Sequence, residues 1–170
     1  MQHVFTREEF ETKLSANGDP KMNASLQRGK EVYRMDDQTL RVEEAQALAH
    51  KVERILRHSE MIFDQGGYET AIEAAYNAAK LAAKALLLLK PGVELPGTHG
   101  GLSQIFGREY VRTGEVPREW SALLSQKLQL RNRVWYDAQT DFTDADARSA
   151  IEFARDVLDF LHKRLEALLR

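Results

Sequence analysis

The sequence predicts an all-α protein: an antiparallel four-helix bundle of the up-and-down type with a short N-terminal extension. Apolar residues recur at helical spacing in four long segments, and no segment keeps the strict alternation of a half-buried strand. The length of 170 residues suits a single domain. We therefore expect the long helices to pack around one core, joined by short connections.

Helix boundaries follow from local start and stop signals. Long helices are predicted over residues 39–64, 68–90, 117–138 and 143–169, with a short helix over 103–110. The "QGGY" and "KPG" stretches that follow the first two segments contain the glycine and proline residues that end helices. Pro117 suits the first turn of the third long helix. Thr143 followed by Asp146 resembles a capping box at the start of the fourth.

Residues 1–38 differ from the rest and are predicted to form the extension, partly helical or loop. A short helix is expected over residues 7–14, after Thr6, and a loop over 15–30. The bundle itself is predicted to occupy residues 39–170.

Composition limits the classes of function. The formal net charge of −2 gives no overall attraction to nucleic acid, so any such contact would need a local patch. The sequence has no cysteine, no signal-peptide core at its start and no apolar run long enough to span a bilayer, so we expect a cytoplasmic protein. No glycine-rich phosphate loop follows a strand, and the five histidines lack metal-ligand spacing. We therefore expect no cofactor and no metal.

The third long helix contains an unusual arginine. With Trp120 as the origin and about 100° per residue, its leucines, Val134 and Trp135 lie on one face. Arg131 falls about 20° from the centre of that apolar face, and Lys127 about 20° to the other side. Two cations thus lie one turn apart where a bundle helix normally presents leucine.

Three interpretations of Arg131 and Lys127 are open from periodicity alone. Both side chains could lie along apolar surface and reach the rim or an acid on a neighbouring helix. Alternatively, a guanidinium on an apolar platform suits phosphate, because its planar fork can bind two oxygens. The face could also be a dimer interface whose two-fold axis brings both arginines into one cleft.

Four stretches in order resemble the HEPN domain family, over about 120 residues. They are "FDQGGYETAIEAAYNAAKLAAKALLLL", "THGGLSQIFGREYVRTGEVP", "LRNRVWYD" and "ADARSAIEFARDVLDFL". The subgroup that the chain resembles is the small stand-alone prokaryotic type encoded beside a minimal nucleotidyltransferase. The resemblance implies a four-helix domain, commonly a homodimer, that engages RNA or nucleotide.

The same resemblance implies a site. Many family members are metal-independent endoribonucleases in toxin–antitoxin pairs, with an arginine, a polar residue and a histidine five residues after the arginine. Arg131 and Asn132 match the first two positions, but Tyr136 stands at the third. A phenol is a poor general base near neutral pH, although it can donate a hydrogen bond or stack on a base. His99 is the spare histidine that could supply acid–base chemistry.

The resemblance therefore implies a HEPN-type protein that binds RNA or nucleotide in a dimer cleft. It makes the protein a candidate toxin–antitoxin component with metal-independent endoribonuclease activity, and a minimal nucleotidyltransferase antitoxin its candidate partner. Arg131, Asn132, Tyr136 and His99 are the candidate catalytic residues. Lys127, Arg131 and Arg133 are the candidate nucleic-acid-binding residues. The alternative is a non-catalytic helical module that partners a nucleotidyltransferase or another protein.

Overall fold

All regular secondary structure in the described part of the chain is helical. A computed structural model describes residues 20–97, 99–138 and 141–168, and their side chains for 37–97, 101–138 and 141–168. Within these ranges there is no strand, which confirms the all-α prediction. The elements are α1 (Pro20–Asp64), α2 (Tyr68–Leu88), α3 (His99–Phe106), a π-helical turn (Gly107–Val111), α4 (Trp120–Tyr136) and α5 (Asp144–Leu168).

The first long helix begins earlier than predicted. α1 starts at Pro20, so the loop expected over residues 15–30 is wrong from residue 20 onward. Proline suits a helix start because its missing N–H has no partner in the first turn, and only Gly29 interrupts good or neutral helix formers after it. The helix expected over residues 7–14 lies outside the described residues. The division into 1–38 and 39–170 stays a prediction.

The chain divides into two compact units, Met1–Leu40 and Arg41–Arg170. In the first unit, the described residues form the beginning of α1. All residues of the candidate site belong to the second unit, and the core described below lies within it.

Helix α2 is the most deeply buried element of the second unit, and it packs against both α4 and α5. Seven of its alanines are at most 1% exposed: Ala71, Ala75, Ala78, Ala79, Ala82, Ala83 and Ala85. Methyl side chains let neighbouring helix backbones approach closely. The contact is tight enough for the buried Ser59 hydroxyl of α1 to donate a hydrogen bond to the Ala71 carbonyl at 2.8 Å.

Cross-helix contacts fix the direction of the helices within this unit. Along α1 and α2, Ser59 bonds Ala71 near one end, and Glu44 pairs with Lys84 at 3.3 Å toward the other. These two helices are therefore antiparallel. α4 and α5 are antiparallel too, because Trp120 packs edge-on against Phe153 and Phe160, whereas Lys127 contacts Ser149.

An arginine on α1 caps the C-terminal end of α2. The Arg41 Nε donates to the Leu88 carbonyl at 2.9 Å, and one terminal nitrogen lies 2.8–3.3 Å from the carbonyls of Leu87, Lys90 and Val93. These carbonyls lack helical partners at a C-terminus, and a cation there also complements the helix dipole. Arg41 thus holds the end of α2 and the following loop against α1.

The predicted capping box opens α5. The Asp146 backbone N–H donates to the Thr143 hydroxyl at 3.3 Å, while the Asp146 carboxylate accepts from the Thr143 N–H at 3.0 Å and from its hydroxyl at 2.7 Å. These hydrogen bonds lower the pKa of Asp146, and the nearby charges of Arg133 and Lys127 add to the effect despite some opposition from burial. The carboxylate form of Asp146 is therefore stabilised in the folded state.

Asp146→Asn should reduce the free energy of unfolding at pH 7 by about 1 kcal/mol, the usual contribution of a helix cap. Because the folded-state pKa of Asp146 is depressed, its contribution is present above the ordinary value of 3.8 and is lost as the pH falls through the folded-state value. Urea unfolding at pH 7 and pH 3 measures this, with Asp156→Asn, an exposed substitution on the same helix, as the control. An equal effect of Asp146→Asn at both pH values would contradict the assignment.

Candidate functional site

The candidate site lies on α4. Its first half is anchored in the core by Trp120, Leu124 and Lys127, which are all buried. Toward its end the apolar face continues into solvent, where Trp135 is 58% exposed and Tyr136 83% exposed. The apolar face predicted from the helical period thus extends beyond the core.

Arg131 lies at the boundary between core and solvent. Its side chain is partly buried, and its guanidinium lies over the Trp135 ring, 5.7 Å from the centroid. One terminal nitrogen donates to the Asn132 side-chain oxygen at 3.3 Å, whereas the Nε is buried without a hydrogen-bond partner in the described residues. No carboxylate of the described side chains lies within ion-pair distance of Arg131. Leaving a buried charged donor unpaired is costly.

The charge of Arg131 acts on two side chains of α2. Burial raises the pKa of Tyr76 to about 12, although the charge of Arg131 acts in the opposite direction. Burial lowers the pKa of Lys80, and the charges of Arg131 and of Lys51 on α1 lower it further. Arg131 is thus close enough to interact with another partly buried cation. We call Lys51, Lys80 and Arg131 the cationic cluster, with one member from each of three helices.

Of the other predicted site residues with described side chains, only Asn132 has a described contact with Arg131. Asn132 is adjacent to Arg131 and bonded to it, as expected of a pair that acts together. Tyr136 points into solvent, and no described contact joins it to Arg131. Arg133 is exposed, with its guanidinium 5.8 Å from the centre of the Phe142 ring. His99 begins α3, but its side chain lies outside the described residues.

Lys127 lies in the core, apart from the solvent-facing charges. It is 8% exposed, and its ammonium donates to the Ser149 hydroxyl on α5 at 2.5 Å. Burial lowers the pKa of Lys127, with partial opposition from the charges of Asp146 and Glu152. This matches the interpretation of a lysine that lies along apolar surface toward a neighbouring helix, and it gives no support to a role for Lys127 in binding nucleic acid.

Sequence reasoning missed Lys80 and Lys51. The available signal was the helical repeat of α2, which places Lys80 one turn after Tyr76. Their approach to Arg131, however, depends on which helices are neighbours and in which register, and periodicity within one helix does not contain that information.

The described residues offer neither a metal site nor a membrane-spanning helix. Nowhere in these ranges do three or more His, Cys, Asp or Glu side chains come together as they would to hold a metal ion. Nor does any helix there have the length and apolar character needed to cross a membrane.

The fold and the site together define an all-α domain with an arginine on α4 that has no ion-pair partner among the described side chains. The family model for the HEPN domain matches residues 45–165, which is most of the chain. The chain belongs to the HEPN domain family, as the resemblance predicted.

Curated relatives carry names that point to toxins. One, from Methanocaldococcus jannaschii, is named "Putative toxin MJ0605" and is 31% identical over 127 residues, which cover 75% of this chain and 92% of that protein. A second from the same organism, "Putative toxin MJ0142", is 29% identical over 105 residues, 61% of this chain and 69% of that protein. A "UPF0332 protein" of Thermotoga maritima is 30% identical over 101 residues, 59% of this chain and 75% of that protein.

Lys127→Met should leave nucleic-acid affinity within about twofold and should not lower the free energy of unfolding by more than about 0.5 kcal/mol. Methionine keeps the apolar stem and removes the desolvation cost of the ammonium, while the exposed Ser149 can turn to water. Filter binding and urea unfolding measure the two quantities. If Lys127→Met bound nucleic acid tenfold more weakly at unchanged stability, Lys127 would belong to the binding site.

Proposed function

We propose that this HEPN protein binds RNA, with Arg131 as its principal phosphate contact, and has a toxin-like role. The observation that carries the proposal is the state of Arg131. It is partly buried, has a buried Nε without a described partner, and has no described carboxylate to neutralise it. A phosphate would supply the missing negative charge and could accept two hydrogen bonds from the guanidinium.

Exposed aromatic side chains beside the arginine favour nucleic acid over an isolated phosphate. Trp135 lies under the guanidinium and is still 58% exposed, and Tyr136 follows it at 83% exposed. Every nucleobase has a face that can stack on such rings, with about 1–3 kcal/mol per base. Cations beside open aromatic rings are the usual combination of single-strand binding surfaces.

The proposal includes a homodimer whose two-fold axis passes beside this end of α4. Trp135 and Tyr136 lie at the edge of that contact, where their exposed rings remain open to bases. A two-fold axis beside them would bring the Arg131 side chains of both subunits into one cleft, and a nucleic acid strand lying along this cleft would contact both.

Metal-independent RNA cleavage would need a base for the 2′-hydroxyl and an acid for the leaving oxygen. Tyr136 is directed into solvent with no described group to activate it, so the geometry supports binding more strongly than catalysis. The relatives named as toxins support a toxin-like role, which an RNA-binding protein can fill with or without cleavage.

Arg131→Gln should weaken binding of a labelled single-stranded RNA by about tenfold or more, because it removes a charge-assisted contact worth about 1.5–3 kcal/mol. Fluorescence anisotropy measures the affinity at fixed salt, and light scattering follows the oligomer in the same samples. Arg118→Gln, an exposed arginine before α4, is the matched control and should bind as the wild type does.

Gel analysis of the same RNA incubated with EDTA separates binding from cleavage. If the wild type produces RNA fragments and the Arg131→Gln variant does not, the protein is a ribonuclease. Equal RNA affinity of wild type and Arg131→Gln would contradict the proposal. Loss of the dimer in that variant with RNA affinity retained would favour the alternative, a non-catalytic module for partners such as a nucleotidyltransferase.

A further inference from the structure

Helices α1 and α2 contribute two lysines whose charges no described carboxylate offsets. Lys80 is partly buried, and Lys51 is exposed. Neither has an ion pair with the described side chains, although Lys84, one turn beyond Lys80, pairs with Glu44 at 3.3 Å. The fold thus gives one lysine of this face an acidic partner and leaves its neighbour without an ion pair among the described side chains.

The helix register places Lys51 and Lys80 at about the same level along the two helices. α1 and α2 are antiparallel, with Ser59 beside Ala71 and Glu44 beside Lys84. Counting inward from both contacts places Lys51 opposite the turn of α2 that contains Lys80. On another side, α4 packs against α2, and the charge of Arg131 acts on both Tyr76 and Lys80.

We propose that Lys80 and Lys51 form a second phosphate subsite beside Arg131, so that this face binds adjacent phosphates of one nucleic acid strand and not a lone monophosphate. The inference rests on the proposed function, since Arg131 provides the first phosphate contact. It adds two residues on other helices, and it defines the ligand as a strand whose backbone crosses from α4 over α2 to α1.

Repulsion within the cluster supports the assignment. Like charges held close together in a partly desolvated place destabilise the free protein, and the lowered pKa of Lys80 reflects both burial and its cationic neighbours. A single phosphate neutralises at most two of the three charges. A strand with successive phosphates offsets all three, and the exposed ring of Trp135 lies against Arg131, where it can stack on a base.

The test compares Lys80→Gln and Lys51→Gln with Lys84→Gln, which makes the same charge change one turn away at an ion-paired lysine. Titration calorimetry with inorganic tripolyphosphate and with inorganic phosphate measures the subsite without RNA. We expect the wild type to bind tripolyphosphate at least about tenfold more tightly than phosphate. Lys80→Gln should lose most of that preference and Lys51→Gln part of it, while Lys84→Gln keeps it.

A second arm measures single-stranded RNA affinity at several salt concentrations. Log affinity falls as log salt rises. Loss of one phosphate contact in Lys80→Gln should make this slope less steep by about 0.7, and Lys84→Gln should leave the slope unchanged. Poly-glutamate of matched charge should compete poorly with RNA. Circular dichroism confirms folding, which Lys80→Gln should not impair because it removes a partly buried cation.

The outcomes separate the two proposals. If Lys80→Gln and Lys84→Gln behave alike in both arms while Arg131→Gln loses RNA, the second subsite is overturned and the proposed function stands. If tripolyphosphate binding depends on Lys80 but RNA is not bound, the subsite stands and the RNA-binding function is overturned. If poly-glutamate competes as well as RNA, the face recognises an acidic protein, and the assignment to a nucleic acid strand is overturned.

Discussion

The close packing of α2 is the constraint on which the rest of the second unit depends. Its buried face consists largely of alanine, so α1, α4 and α5 can approach its backbone. Larger side chains there would overpack the core and push the neighbouring helices away. Because the helices are close, Arg131 on α4 comes within electrostatic reach of Tyr76 and Lys80 on α2. The geometry of the site is thus a consequence of alanine packing.

The protein stabilises charge where it serves the fold and leaves it unpaired where we place the ligand. Arg41 is bonded to the carbonyls at the end of α2, and Asp146 caps α5. At Arg131, by contrast, a buried nitrogen lacks a described partner and the neighbouring lysine is also a cation. Functional sites commonly retain such unfavourable arrangements, which the rest of the structure has to offset.

The sequence alone predicted the elements whose signals are local. The all-α class and the capping box at Thr143 and Asp146 follow from propensity and helical period. The period placed Arg131 near the centre of the apolar face of α4, and a position at the rim was one of three interpretations. The start of α1 was predicted too late. The exposure of Trp135 and the effect of the Arg131 charge on Lys80 were not predicted, because tertiary contacts decide them. Periodicity shows which face of a helix is apolar, but it does not show where the core ends or which helix lies opposite.

The central claim is that Arg131 is kept for a ligand and does not serve to hold the fold together. The most direct measurement is the free energy of unfolding of Arg131→Met in the absence of ligand, since methionine keeps an apolar side chain and removes the charge. The account predicts stability equal to the wild type or higher by about 1 kcal/mol, because a partly buried unpaired cation and its repulsion with Lys80 are removed. A loss of about 1 kcal/mol or more would show that Arg131 stabilises the fold and would contradict the account.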